Sequence, residues 1–135
     1  MSMATFHLQI VTPDRMVFDG LAESLIVRTA TGDACILARH IDYAVALGTG
    51  EARVTDEKGG TRIAACSGGM LSVAGGEARV MATTFEWSDE IDLERAEEAR
   101  RQAEEHLKAL ERSDQQFAIA EAKLKRAMAR IRAKD

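Results

Sequence analysis

The chain has 135 residues, 46% hydrophobic and 30% charged, and its formal net charge is −4. Basic and acidic residues number seven and ten in residues 1–87 and eleven and twelve in residues 88–135, so neither half has the basic excess of a nucleic-acid-binding protein. No stretch is long and apolar enough to span a bilayer, and the first residues lack the features of a signal peptide, so we expect a mature chain that begins here, in the cytoplasm.

Residues 1–87 form a series of apolar runs separated by turn residues. Residues 6–10 alternate apolar and polar side chains, and Thr12-Pro13-Asp14 ends this run with turn chemistry. Gly75-Gly76 separates the last two runs and suits a tight hairpin turn. The runs after the first are 16–18, 24–27, 35–37, 43–47, 51–55, 62–66, 70–73 and 78–81. The spacing predicts an antiparallel β-sandwich of about ten strands.

The other glycine motifs of this half are interpreted as turns. Gly48-Thr49-Gly50 begins like a dinucleotide-binding fingerprint, but Arg53 occupies the third glycine position and no helical pattern follows. Ser67-Gly68-Gly69 is also interpreted as a turn, and no nucleophile and base stand at a recognisable spacing. Cys35 and Cys66 lack metal-site or redox spacing and are expected to be buried thiols. We therefore predict that this half is a docking domain and that the protein is not an enzyme.

Residues 88–135 contain neither glycine nor proline and are rich in strong helix formers. Ser113 and Gln116 fit a capping box, which predicts one helix near 90–110 and a second helix after it. Each helix carries an apolar stripe at three- and four-residue spacing: Ala96, Ala99, Ala103, Leu107 and Leu110, then Phe117, Ala120, Leu124, Ala127 and Ile131. The fold class is therefore α+β in series, with a β-sandwich docking domain over 1–87 and an antiparallel two-helix hairpin over 88–135.

Several short motifs occur in a fixed order along the chain. In the first half they are Leu8–Asp14, Val17–Gly20, Gly32-Asp33 with Ile36-Leu37 and His40, Ala46–Gly50 with Arg53-Val54, and Gly68-Gly69 with 71–73. In the second half they are Ile91-Asp92 with Arg95-Ala96, and Leu124–Met128. In order and spacing, over nearly the whole length, the chain resembles the epsilon subunit of bacterial F-type ATP synthases, called delta in mitochondria.

This resemblance implies a ten-stranded β-sandwich followed by two antiparallel helices, and a non-catalytic rotor subunit. The sandwich would dock on the gamma subunit and the ring of c subunits. The helices, when extended, would reach the alpha and beta subunits and inhibit ATP hydrolysis. The protein would then lie at the cytoplasmic face of the cell membrane and contact the membrane only through the complex.

The resemblance implies rotor contacts at Asp33, Leu37, Arg39 and His40. The family's usual loop reads Gly-Ile-Leu-Pro-Gly-His-Ala-Pro, whereas residues 35–42 read Cys-Ile-Leu-Ala-Arg-His-Ile-Asp, without the prolines and glycines. The contact region is therefore expected at this loop, with altered detail.

A regulatory ATP site is also implied, because residues 91–96 match every specified position of the family motif Ile/Leu-Asp-x-x-Arg-Ala. A carboxylate three residues before an arginine shares its helix face, where the two groups suit ribose or adenine and phosphate. The residues so implied are Glu86, Ile91, Asp92, Arg95, Ala96, Arg126 and Arg130, with ATP, with or without Mg²⁺, as a ligand and no required cofactor. Gln102 stands where the family has a further arginine.

Two alternatives remain open at this point. Asp92 and Arg95 also fit an exposed ion pair on a solvated helix face. The whole chain also fits a free-standing ATP-binding adaptor or sensor that docks on an unrelated complex.

Overall fold

The structure is a computed structural model that describes residues 4–112 and 114–134. Seven strands come first: β1 (Phe6–Val11), β2 (Met16–Thr29), β3 (Gly32–Leu37), β4 (Tyr43–Ala46), β5 (Thr49–Asp56), β6 (Thr61–Ala74) and β7 (Glu77–Trp87). A 3-10 turn at Ser88–Glu90 leads to helix α1 (Leu93–Lys108) and helix α2 (Gln115–Lys134). The predicted fold class, a β-sandwich followed by a two-helix hairpin, is confirmed.

Two long strands explain why the described residues contain seven strands where about ten were expected. β2 joins the predicted runs 16–18 and 24–27, and β6 joins 62–66 and 70–73. The first half of β2 pairs with β1 and its second half with β3 and β5. β6 likewise pairs first with β5 and then with β4. Each strand thus passes between the two layers without a turn, so a count of apolar runs overestimates the number of strands.

The strands follow the order β1-β7-β6-β5-β2-β3, with β4 beside β6 and a second pairing between β1 and β2. All pairings are antiparallel except β1 with β7, which is parallel. The predicted hairpin between β6 and β7 is present, with positive φ at Gly75 and Gly76. Alternating side chains of the strands fill the core, and the largest fully buried ones are Leu8, Ile10, Leu25, Ile36, Leu71, Val27, Val54 and Val80.

The two other glycine motifs lie mostly within strands, contrary to the sequence interpretation, although Gly48 falls in the connection between β4 and β5. Ser67-Gly68-Gly69 lies inside β6, where the strand changes its partner. A Cβ atom at Gly69 would overlap the carbonyl oxygen of Met81 on β7. Thr49 and Gly50 begin β5, and a Cβ at Gly50 would lie 2.8 Å from the Cβ of Arg28. Glycine is present at positions 50 and 69 because the neighbouring strands approach too closely for a side chain.

The first helix begins later than predicted, at Leu93 and not near Glu90. Ile91 and Asp92 are extended, and the Asp92 carboxylate accepts a hydrogen bond from the amide of Arg95 at 3.2 Å as the N-cap of α1. The predicted capping residue of the second helix, Ser113, lies outside the described residues. The amide of Gln116 donates to the carboxylate of Asp114 at 2.8 Å.

Helix α2 packs on the sheet as well as on α1, which the sequence analysis did not foresee. Ala96 and Ala103 of α1 and Ala120 and Ala127 of α2 are buried at the predicted stripe positions. On its other side α2 buries Ala129 and Ala133 in a small apolar cluster, whose other members are Ala65, Ile91 and the partly buried Ile63. The apolar part of this contact is therefore made by small side chains of α2. Within the described residues, neither helix is long and apolar enough to cross a membrane.

The two cysteines differ in exposure, and one departs from expectation. Both are free thiols; Cys66 is buried in the sandwich core, whereas Cys35 is exposed on β3. Within residues 4–112 and 114–134, β3 is the last strand in the sheet order and pairs with β2 alone, so an outward-facing position there is not covered.

Candidate functional site

A cleft of about 500 Å³ lies where the end of β7, the start of α1 and the last turns of α2 meet. Five of the seven residues implied for ATP binding line it together, although they come from three elements. The lining residues are Glu86, Glu90, Asp92, Arg95, Ala96, Ala99 and Arg130. The fold therefore brings most of the predicted set to one place.

Two of these residues fix the hairpin against the sheet. The Nε of Arg130 on α2 donates to Oε1 of Glu86 on β7 at 2.6 Å, and both side chains are about one-third exposed. This charge-assisted bond joins residues 44 positions apart in the sequence. It orients the guanidinium group at the wall of the cleft.

Asp92 and Arg95 do not form the ion pair that the sequence left open. The Asp92 carboxylate caps the helix by accepting from the backbone amide of Arg95, and no salt bridge of the Arg95 side chain occurs within residues 4–112 and 114–134. The spacing of three residues thus fits a helix start, and the Arg95 guanidinium lines the cleft.

Ile91 and Arg126, the other two residues implied for ATP binding, lie outside this cleft. Ile91 is 4% exposed and packs in the apolar cluster beneath α2. Arg126 lines a second depression, a groove of about 220 Å³ between the two helices. Its lining residues are Ala99, Gln102, Ala103, His106, Ala120, Lys123, Arg126 and Arg130. The cleft and the groove share Ala99 and Arg130 and are therefore adjacent.

Glu90 lines the cleft and His106 and Lys123 line the groove, although none of the three was predicted from the sequence. Lys123 stands three residues before Arg126 and seven before Arg130, which places all three cations on one helix face. That spacing was a usable signal. Glu90 gave none, because its partner Arg15 lies 75 residues away in the sequence.

The segment between β7 and α1 is fixed by arginines of the sandwich. Arg15 donates two hydrogen bonds to the Glu90 carboxylate, at 3.0 and 2.8 Å, and the same carboxylate accepts from the amide of Trp87 at 3.0 Å. Arg62 lies 3.9 Å from the centre of the Trp87 ring. The hydrogen bonds from Arg15 lower the pKa of the Glu90 carboxyl below its ordinary value.

The Arg15–Glu90 pair predicts that the stability lost on removing Arg15 depends on pH. A carboxyl whose pKa is lowered by folding stabilises the fold above its ordinary pKa of 4.5, and this contribution is lost as the pH falls through the folded-state pKa. We expect Arg15→Ala to be less stable than the wild type at pH 7 and to approach it below pH 4.5. Urea unfolding at both pH values measures this, with Arg79→Ala on the exposed face of β7 as control. A deficit that persists unchanged in acid would contradict the assignment.

The four residues implied for rotor contact do not lie together. Asp33 accepts from the Nε of Arg28 at 2.6 Å near the start of β3, whereas Leu37 ends that strand and is 48% exposed. Arg39 has a positive φ of 63°, and the His40 ring lies 5.7 Å from that of Tyr43. Leu37, Arg39 and His40 thus share one loop, and Asp33 is separated from them by the length of β3.

The backbone conformation of Arg39 predicts that glycine at this position stabilises the fold. Its φ of 63° is unfavourable for a residue with a Cβ and free of strain for glycine. We expect Arg39→Gly to raise the free energy of unfolding by about 0.5–1 kcal/mol in chemical denaturation. Ala38→Gly, at a position without positive φ, is the control and should lower it. If both changes destabilise equally, the Arg39 backbone does not have this conformation in solution.

An apolar row crosses an exposed face of the sandwich. Met16, Val11, Met81 and Met70 are successive cross-strand neighbours on β2, β1, β7 and β6. The three methionines are 42–51% exposed. Contiguous exposed apolar side chains of this kind indicate a protein contact surface.

Comparison with known proteins covers both halves of the chain. Residues 5–88 match the beta-sandwich domain of the ATP synthase delta/epsilon chain, and residues 89–135 match its long alpha-helix domain. The chain is 41% identical over 130 residues to an ATP synthase epsilon chain of Ruminococcus albus, with 96% of each chain covered. It is 35% identical over 133 residues to that of an Exiguobacterium species, with 98% of each covered.

Solved structures agree on the fold. A chain of the Euglena gracilis mitochondrial ATP synthase, in a structure of OSCP, F1 and c-ring, superposes with a TM-score of 0.82 at 21% identity, over 96% of this chain and 81% of that one. A chain from the central stalk and c-ring structure of the Tetrahymena thermophila mitochondrial enzyme gives 0.62 at 12% identity, with 100% of each covered. At these identities the likeness concerns the fold.

Proposed function

The chain belongs to the ATP synthase delta/epsilon family, and from that premise we propose that it couples the gamma subunit to the c-ring and restrains ATP hydrolysis. It is a non-catalytic epsilon-type subunit, which confirms the family resemblance and the absence of an enzymatic role predicted from sequence. The observation that carries the proposal is that both family domains match in order over residues 5–135. The coupling and inhibitory roles are the proposal.

Two surfaces of the sandwich support docking within a rotor. The first is the methionine row, and the second is the loop after β3, where Leu37 is 48% and Ile41 79% exposed. The Asp42 carboxylate accepts from the amide of Gly75 at 3.1 Å, so the loop is tied to the β6–β7 hairpin. A fixed loop with apolar side chains suits a permanent contact with gamma and the c-ring at the cytoplasmic face of the membrane.

The hairpin supports the inhibitory role. To the apolar cluster between α2 and the sheet, the helix contributes the methyl groups of Ala129 and Ala133, so detaching it breaks the Arg130–Glu86 bond but exposes little apolar surface. Detachment frees Arg130 from Glu86 and Lys134 from the Ser88 carbonyl, and these groups then add to the basic surface that α2 presents to acidic surfaces of the alpha and beta subunits. We propose that the extended hairpin blocks hydrolysis and that the docked hairpin releases it.

ATP is the proposed ligand of the docked form. Arg95 and Arg130 in the cleft suit phosphate, Glu86 and Asp92 suit the hydrogen-bond donors of adenine and ribose, and Arg126 stands in the adjoining groove. A ligand at about 100 times its dissociation constant stabilises the state that it binds by about 2.7 kcal/mol. A modest affinity for ATP is therefore enough to favour the state in which the hairpin is docked on the sheet.

The test of the stalk role is copurification and turnover. Tagged chain expressed in its native cell should bring down gamma and c subunits from detergent-solubilised membranes; capture without gamma would favour the free-standing adaptor. In reconstituted enzyme, a chain that ends at Trp87 should leave coupling intact and allow hydrolysis at least as fast as the full chain. Slower hydrolysis with the shortened chain would contradict the inhibitory role.

The ATP proposal is tested separately by calorimetric titration of the full chain with ATP and Mg²⁺. We expect saturable binding for the wild type and weaker binding for Arg126→Ala. No heat at millimolar ATP would rule out the switch. Unchanged binding by Arg126→Ala would show that the chain binds ATP and that Arg126 does not contact it.

A further inference from the structure

Three ionisable side chains meet on the outer face of the sandwich, and each comes from a different strand. His7 lies on β1, between Asp19 of β2 and Glu77 of β7. The Nε2 atom of His7 lies 2.5 Å from Oδ1 of Asp19, and its Nδ1 atom lies 3.7 Å from Oε1 of Glu77. Both ring nitrogens of His7 therefore face a carboxylate oxygen.

This arrangement favours the charged form of the ring. A neutral imidazole carries a single N–H, so a ring that donates from Nε2 to Asp19 presents the lone pair of Nδ1 to Glu77. A second proton, on Nδ1, turns that repulsion into attraction. The hydrogen bond to Asp19 and the negative charges of Asp19 and Glu77 raise the pKa of His7 above its ordinary value of 6.5.

The other groups around the ring do not supply the missing positive charge in full. Arg79 of β7 lines the same depression as His7 and Glu77, and β6 contributes the uncharged Ser72 and Ala74 to it. The two carboxylates outnumber this single arginine. Within the part of the chain that the structure describes, no group of His, Cys, Asp and Glu side chains is placed to hold a metal ion. The ligand that fits this cluster is therefore a proton.

The cluster lies on the same exposed sheet face as the methionine row. His7 and Val11 are four residues apart on β1, about 13 Å, and they share the outward side because side chains alternate along a strand. Leu21, the cross-strand neighbour of His7 on β2, is 44% exposed and continues the apolar face to the level of the ring. A standard interface buries about 800 Å² per partner, a patch about 30 Å across. A partner seated on the row and on Leu21 therefore also covers the cluster.

We propose that His7, Asp19 and Glu77 form a proton-binding site within this docking face, and that proton uptake there strengthens docking on the gamma subunit. This inference rests on the proposed function and adds to it a dependence of docking on pH. Docking removes two carboxylates from water, which costs less when an imidazolium between them neutralises one negative charge. Docking therefore favours the protonated cluster and weakens as the pH rises through the pKa of His7.

The proton site is tested in the full chain alone, by nuclear magnetic resonance of the histidine rings. The chain has three histidines, and the ring signal that is missing from His7→Gln identifies His7. We expect this ring to titrate with a pKa above 6.5, and we expect Asp19→Asn to lower that pKa. A pKa at or below 6.5, or one that Asp19→Asn leaves in place, would overturn the site.

Docking is measured as the dissociation constant of the full chain and the gamma subunit at about pH 6 and about pH 8, on either side of the histidine titration. A group whose pKa rises by one unit on binding changes the affinity by up to about tenfold, so we expect wild-type docking to be about fivefold to tenfold weaker at the higher pH. His7→Gln should remove this ratio. His106→Gln, on α1 and outside the sandwich, is the control and should retain it.

The outcomes also separate this inference from the proposed function. If gamma binds the wild type and His7→Gln with the same ratio between the two pH values, the proton site has no part in docking, so this inference fails and the stalk role stands. The same follows if docking strengthens as the pH rises. If gamma does not bind at either pH, the proposed function and this inference both fail.

Discussion

Replacement of Gly69 by alanine is expected to lower the free energy of unfolding by about 3–5 kcal/mol, since it combines backbone strain with overpacking. The φ of Gly69 is +97°, a conformation that residues with a Cβ rarely adopt. An added Cβ would overlap the Met81 carbonyl oxygen and lie 2.8 and 2.9 Å from the Met81 carbonyl carbon and the Ala82 Cα. All these atoms belong to the backbone of β7, so relief requires β6 and β7 to separate.

Gly75→Ala is the matched control for this experiment. Gly75 also has a positive φ, +58°, but an added Cβ meets nothing within 4 Å. We expect a loss of only about 1 kcal/mol, from the left-handed backbone alone. Urea unfolding of both variants gives the comparison. Equal losses would mean that β6 and β7 do not approach as closely at Gly69 as the structure indicates.

Substitution of Ala129 by leucine is expected to detach α2 from the sheet. Ala129 is 5% exposed and belongs to the apolar cluster with Ala65 and Ile91, so three additional carbon atoms would crowd that cluster, and overpacking costs about 1–3 kcal/mol. That energy opposes the docking provided by the two alanines and by the bonds from Arg130 to Glu86 and from Lys134 to the Ser88 carbonyl. The detached population should therefore rise about tenfold or more.

Ala118→Leu is the control, because Ala118 is exposed on the same helix and leucine is a good helix former at both positions. Hydrogen exchange should increase in α2 and in the sheet beneath it for Ala129→Leu and stay at wild-type rates for Ala118→Leu. In the reconstituted enzyme, the chain that carries Ala129→Leu should inhibit ATP hydrolysis more strongly than the wild-type chain. Wild-type exchange in Ala129→Leu would show that the interface adapts to the larger side chain.

Most of the fold was predictable from sequence because the strand and helix patterns are strong locally. Residues 6–10 alternate in burial as they alternate in polarity, and Gly75-Gly76 forms the expected hairpin. The second face of α2 was not predictable, because its residues are Ala129 and Ala133. Alanine is favourable on any face of a helix, so its position in the sequence does not indicate what it packs against.

The candidate site was predictable only in part, for a similar reason. The motif at residues 91–96 identified Asp92 and Arg95, and the cleft contains both. The Glu86–Arg130 and Arg15–Glu90 bonds join residues 44 and 75 positions apart, and no local pattern encodes such pairs. The strand passage at Ser67-Gly68-Gly69 was mistaken for a turn because glycine pairs are common in both settings.

The unequal environments of the two cysteines make the natural sequence suitable for site-specific labelling. Burial raises the pKa of the Cys66 thiol to about 12, and the thiolate is the nucleophile that attacks a maleimide, so at neutral pH a maleimide dye should modify the exposed Cys35 alone. Cys35 lies two residues before Leu37, at the base of the loop that would meet the rotor. A single fluorophore can thus report on assembly of the loop with its partners in a chain that carries no substitution.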